Sequence, residues 1–296
     1  MRRMDLGRVG LWTHHLDFQP LPLVRDAVAE LETLGYPTLW IPEVAGRDVF
    51  VNAAMLLGAT QRLNVATGIA NIYARDALAM AAVWKTLTEA FPERFLLGLG
   101  VSHQTAVEGL RKQEYGKPLT AMREYLDGMD SAPYFAPPPS TEPRRALAAL
   151  GPRMLVLAAE RAVGAHPYFV PVEHTAIARD AMGPDAWLMP EQMAVLETDP
   201  AVARAIARRT MATYLGLPNY VNNLRRLGWT DDDLADGGSE RLVDAIVVWG
   251  DEAAIRARVD EHHAAGANHV CVQVLPATFT DLPLEAWRRL APALLS

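Results

Sequence analysis

The stretch Phe95 to His103, FLLGLGVSH, ends at Ser102 and in a residue type able to move a proton near neutrality. An unperturbed imidazole titrates at about 6.5, so His103 can exchange a proton or simply hydrogen-bond a bound molecule. Other groups capable of chemistry close comparable runs. Glu43 ends TLWIPE, where its carboxylate faces a ligand, caps the following helix or pairs with Arg47. His14 and His15 follow Trp12, and Gly68, Ile69, Ala70 and Asn71 close ATGIAN. Gly151, Pro152 and Arg153 join a turn, a residue suited to a first helical turn and a guanidinium. Free amides at a helix start and an arginine both favour an anion, although Gly-Pro-Arg is also an ordinary turn. His166 and then Glu173, His174 and Thr175 occupy the next loop and helix start, where His174 either reaches an anion or caps its own helix. The adjacent histidines at 14–15 and 262–263 diverge in direction on a strand or a helix, so no metal site is read from them.

Strands and helices must alternate to bring these residues together, and they do. Val9–Trp12, Thr38–Pro42, Leu63–Ile69, Phe95–His103, Arg145–Leu150, Tyr168–Val170, Trp187–Glu197 and His269–Leu275 read as strands. Apolar residues at helical spacing fall between them, as in Val24, Ala27, Val28, Leu31 and Leu34 before Gly35, or Met80, Val83, Trp84, Leu87 and Phe91. Phe50–Ala59, the segment around Leu119–Met129, the run from Arg153, the long run after Asp199-Pro200, and Asp251–Ala265 complete the helices. Parallel strands need such crossovers, and eight units suit one closed (β/α)8 barrel over residues 1–296, with active groups at the strands' carboxyl ends. Ala132–Pro143, rich in proline, reads as a loop inside that barrel, and Ile246–Trp249 as a short extended piece. PNYVNNLRRLGW at 218–229 reads as helix packing or a subunit contact.

The totals narrow the function. A length of 296 residues, half of them hydrophobic, gives material for a barrel, which typically needs about 250. A net charge of -7 with scattered arginines argues against nucleic acid. The lone Cys271 lies in an apolar run, which precludes an internal disulfide and a cysteine metal cluster. The N-terminus carries Arg2 and Arg3 without an apolar core, and no uninterrupted apolar span reaches membrane length, so a cytoplasmic protein without membrane partners is expected.

Six segments together, TLWIPE, ATGIANIYARD, ERFLLGLGVSH, ALGPRML, AHPYFVPVEHT and AGANHVCVQVL, resemble the bacterial luciferase-like monooxygenase superfamily, and more narrowly its deazaflavin-dependent branch. The resemblance spans almost the whole chain and rests on the order and spacing of the motifs. It implies a TIM-type barrel with loop insertions, coenzyme F420 in its mouth, and a non-prolyl cis peptide at Gly68 and Ile69 behind the deazaflavin. It also implies cofactor contacts for Ala70, Asn71, Ser102 and His103, and a phosphate at Gly151, Pro152 and Arg153, with His166 and His174 near the phosphate or tail. Relatives that act on sugar phosphates carry glutamate where His103 stands, and an acidic residue near the ring where Glu43 stands. His103 and Glu43 are therefore the candidate catalytic residues, with Trp12 and His14 on the substrate side. Arg75 would hold the loop through Asp76 or Glu43.

The expected activity is hydride transfer between C5 of coenzyme F420 and a small organic substrate. An FMN-dependent monooxygenase, or a non-catalytic deazaflavin- or flavin-binding protein, are the alternatives, and a homodimer is compatible with the resemblance.

Overall fold

The computed structural model describes residues 4–296; Arg2 and Arg3 lie outside the described residues. Eleven strands form one sheet: β1 Val9–Trp12, β2 Thr38–Ile41, β3 Asn64–Thr67, β4 Ala70–Asn71, β5 Phe95–Gly100, β6 Arg144–Leu147, β7 Gly164–Ala165, β8 Trp187–Leu188, β9 Glu191–Val195, β10 Val247–Trp249 and β11 Val270–Val274. Every pairing is parallel, with helices in the crossovers. The ends of the sheet meet because β8 and β9 are one stave interrupted at Met189 and Pro190. Met189 N–H donates to Ala165 O on one side, while Cys271 N–H donates to Pro190 O on the other. The barrel thus closes through β1, β2, β3, β5, β6, β7, the β8–β9 stave and β11.

β11 shows how sequence builds two cores. Val270, Val272 and Val274 pack outward with the helices, while Cys271 joins Trp12, Trp40, Ala66, Leu96 and Met189 inside. Strand side chains alternate between faces, so a five-residue run fills both. A third cluster, around Phe169, Met193, Met211 and Leu224, lies between the carboxyl ends of the strands and the helices Pro200–Leu215 and Pro218–Arg226.

Two local expectations change, and the extended piece expected at Ile246–Trp249 gains a strand partner. The strand expected at Tyr168–Val170 is instead Gly164–Ala165, and Phe169 takes a left-handed φ of 58° that no strand accommodates. A Cβ on Gly164 would lie 1.8 Å from Trp187 O, so only glycine lets these staves approach, a constraint invisible to apolar periodicity. The strand after Leu63 ends at Thr67, and the chain turns before β4 pairs with β5. Val247–Trp249 forms β10 beside β9, extending the sheet past the barrel wall. The segment Ala132–Pro143 carries no helix or strand.

Candidate active site

The carboxyl ends of β1, β2, β3, β5 and β7 surround a cavity of about 520 Å³. Trp12, Glu43, Gly68, Ile69, Asn71, Ser102, His103 and His166 all line it. Its further walls come from Tyr168, Tyr214, Leu217 and Tyr220 and from the turn at Leu110 and Arg111.

The wall below Trp12 is built by glycines. Gly68 N–H donates to Ile41 O at 2.8 Å, as if β3 continued, and then the Gly68–Ile69 peptide is cis. Gly68 O accepts from the Trp12 indole at 2.9 Å, and a Cβ on Gly68 would stand 2.6 Å from that indole nitrogen. Ile69 lies over Gly100, where a Cβ would come within 2.4 Å of its Cδ1, and a Cβ on Gly98 would sit 1.9 Å from Thr67 O. The glycine spacing of FLLGLG therefore seats the bulge. Thr67 fastens it, its hydroxyl donating to Gly98 O (2.7 Å) and accepting from Gly98 N–H (2.8 Å).

Glu43 holds the same loop. Its carboxylate accepts from Asn71 N–H at 2.8 Å and from both terminal nitrogens of Arg75, and the Arg75 guanidinium lies 4.6 Å over the Phe50 ring. Asp76 instead caps the helix Ala77–Ala90, and Arg47 donates to Leu16 O and Gln19 O rather than pairing with Glu43. Asn71 Oδ1 accepts from Tyr73 N–H.

His103 stands at the start of the short helix Gln104–Gly109, just after Ser102, whose φ of 57° turns the chain off β5. Its Nδ1 lies 2.9 Å from Asn219 Oδ1, so Nδ1 carries the hydrogen and Nε2 keeps its lone pair. Burial lowers its pKa, opposed by the bond to Asn219, which leaves a neutral base at neutral pH. His166 is fully buried, stacked 4.4 Å from Trp40, and donates from Nδ1 to Met189 O at 2.7 Å. Burial pushes its pKa down to about 4, and its Nε2 has no partner.

Other expected site residues lie elsewhere. His14 is not on the cavity; it packs against His15, Phe18 and Phe279 behind Trp12, because the chain turns into a 3-10 helix at His15–Phe18. Ala70 is buried in β4 against Leu99. Gly151, Pro152 and Arg153 open the helix Pro152–Arg161 outside this cavity, and a Cβ on Gly151 would touch Arg226 Nη1 at 2.7 Å. His174 is buried behind that turn, where its Nε2 donates to Leu150 O at 2.9 Å. Neither Arg153 nor Arg226 has an ion pair or hydrogen bond among the described residues.

Several residues of the site escape the sequence pattern. Tyr220, on the cavity, and Asn219, bonded to His103, sit in the segment read as packing, and Tyr214 lies in the last turn of a helix read only for its cap. Glu191 and Gln273 are fully buried. Their signal was polarity inside otherwise apolar strands, EQMAV and VCVQV. Glu191 accepts one hydrogen bond, from Phe169 N–H at 3.2 Å, and burial raises its pKa to about 8.

A family model described as luciferase-like monooxygenase matches residues 4–269. The chain belongs to the luciferase-like monooxygenase family. Among luciferase-like relatives, a Mycobacterium tuberculosis protein whose name proposes coenzyme F420-dependent oxidoreductase activity is 26% identical over 332 residues, covering 91% of this chain and 96% of that protein. A solved F420-dependent secondary alcohol dehydrogenase in complex with an F420–acetone adduct superposes with a TM-score of 0.77 at 13% identity, covering 97% of this chain and 98% of the other. The oxygenating constituent of 3,6-diketocamphane monooxygenase of Pseudomonas putida, in complex with FMN, gives 0.66 at 14% identity, covering 97% and 96%. Such distant likenesses establish the luciferase-like fold rather than the cofactor.

Proposed function

We propose that this luciferase-like protein is an oxidoreductase that binds coenzyme F420 and passes a hydride between it and a small organic substrate, with His103 handling the accompanying proton. The observation that carries this reading is the meeting of His103 with Trp12, Gly68 and Ile69 in one cavity of about 520 Å³, a volume within the range of small-molecule sites. The residues fit a flat, partly polar ring. Ile69 offers an apolar surface held in place by Gly98 and Gly100, and His166 Nε2 is a buried acceptor with no protein partner. Gly151, Arg153 and Arg226 offer two guanidiniums and a helix start to an anionic group.

Bound there, the deazaflavin would supply the carbon that takes or gives the hydride. The chain's own residues would do the rest. Trp12 and Ile69 orient the ring and the substrate, and the Glu43–Arg75 pair keeps the loop from Gly68 to Asn71 in register. His103 Nε2 accepts or returns the substrate proton while Asn219 holds its tautomer. Glu43 thereby becomes a positioning residue, since both its oxygens are already engaged. FMN is the second cofactor reading, supported by the likeness to the FMN-bound monooxygenase.

The test is a paired equilibrium titration of the purified protein with coenzyme F420 and with FMN, followed by tryptophan quenching. Tighter binding of F420, weakened about tenfold by Arg226→Gln, is expected. Preference for FMN would transfer the reading to an FMN-dependent monooxygenase, and binding of neither would remove both.

A further inference from the structure

Glu191 places a carboxyl inside the barrel. It stands on β9 in register with Cys271 of β11, and partners in a parallel pair share a face, so its side chain points inward with Cys271, on the side of Trp12 and Trp40. Only one of its oxygens is bonded: Oε2 accepts from Phe169 N–H at 3.2 Å, and Oε1 has no partner. Phe169 follows Tyr168, which lines the cavity together with Tyr214 and Tyr220. The carboxyl thus lies behind the aromatic wall, and each of those three phenols feels its charge.

No cation answers that charge; the Phe169 amide alone favours the ionised form, and burial opposes it. The titratable groups facing Glu191 are Cys271 on β11, Tyr168 after β7, Tyr214 on the helix Pro200–Leu215 and Tyr220 on the helix Pro218–Arg226. Burial raises all four, which keeps them uncharged at neutral pH and somewhat above. His166, with Nδ1 3.8 Å from the Cys271 sulfur, and His103 are neutral because burial lowers them. Glu191, raised to about 8, is therefore the group of this interior that changes charge between pH 7 and 9.

A carboxylate behind a wall of rings is still stabilised by the polarisation of solvent on the far side. A flat ring that fills the cavity displaces that solvent, and negative charge on the ligand adds repulsion. Both effects favour the acid form. We propose that occupation of the cavity by an anionic, ring-bearing cofactor drives a proton onto Glu191, which tunes affinity without touching the ligand. The inference rests on the cofactor-binding reading of this cavity. Its sign follows from linkage: below pH 8 the proton is already in place, and as pH rises past 8 it must be taken from solution, so affinity falls.

Titration of the purified protein with coenzyme F420 from pH 7 to 9, followed by tryptophan quenching, tests it. Uptake of one proton by a group titrating at about 8 weakens binding about tenfold over that range. Glu191→Gln, which cannot ionise, should lose that fall, whereas any titrating group of the cofactor itself acts in both proteins. A flat profile in the native protein, or an equal fall in Glu191→Gln, would overturn the inference. Should the variant fail to fold, calorimetry of the native protein in two buffers of different ionisation enthalpy counts the protons directly. About 0.9 proton per cofactor at pH 9 and about 0.1 at pH 7 are expected, and equal counts would overturn it. F420 binding without the fall would sink this inference alone. The same fall with FMN, when F420 does not bind, would sink the F420 reading alone, and binding of neither would overturn both.

Discussion

At the scale of single residues, the site depends on which nitrogen of an imidazole carries its hydrogen. Asn219 sets that for His103, and its bond also raises a pKa that burial otherwise lowers. Replacing Asn219 by leucine removes the opposing influence, so the acidic limb of the pH–rate profile should move to lower pH while coenzyme affinity stays unchanged. His103→Ala should abolish that limb and lower turnover by about a hundredfold or more. Both are read from initial rates against pH once a substrate is in hand, and a limb that stays in place in Asn219→Leu would deny Asn219 its positioning role. The same residues show the limit of sequence reading. His103 was legible because it ends a buried apolar strand. Asn219, 116 positions away, carried no local sign of meeting it.

At the scale of elements, glycines decide where strands bend. FLLGLG reads as a buried strand from its apolar residues alone, and that reading holds over Phe95–Gly100. The roles of Gly98 and Gly100 come from a neighbour, because they are defined by the close approach of Thr67 O and of the Ile69 side chain. Gly98→Ala would force β3 and β5 apart, with an expected loss of about 1–3 kcal/mol or more, measured by urea unfolding. F420 binding should weaken in parallel, since the bulge loses its seat. Retained stability and binding would mean that the two strands separate without disturbing the site. Tyr168–Val170 illustrates the opposite failure: its residue types favour a strand, yet the chain has already left β7 at Ala165.

At the scale of the whole molecule, burial dominates titration. All eight histidines have pKa values pushed down, chiefly by desolvation, with His15, His166 and His269 near 4. The unfolded chain binds their protons at about 6.5, so between that pH and the folded values it holds more protons than the native state. Stability should therefore fall as pH drops below about 6.5, steeply and over several protons, as read from unfolding midpoints across pH 4 to 8. Glu191 works in the other sense. Its carboxyl, raised to about 8, keeps its proton in the fold above the unfolded value near 4.5, so its contribution is full at low pH and is lost as pH rises towards 8. Glu191→Gln should thus gain stability relative to the native protein as pH rises from 5 to 8. A difference that does not vary with pH would show that Glu191 is not a buried titrating acid.

Periodicity, strand–helix alternation and the residues at strand ends were enough to indicate a parallel barrel and to place His103, Gly68 and Ile69 at its mouth, because each of these is local or repeats at short range; the luciferase-like family came instead from the resemblance of six segments in their order along the chain. The course of the β8–β9 stave, the departure of His14 from the cavity, the contacts of Tyr168 with Tyr214 and Gln273, and that of Asn219 with His103 were decided only by the tertiary structure. Those contacts join residues far apart in sequence. Their hydrogen-bond polarity and pKa values depend on how much water closure of the barrel excludes, which residue type and spacing do not encode.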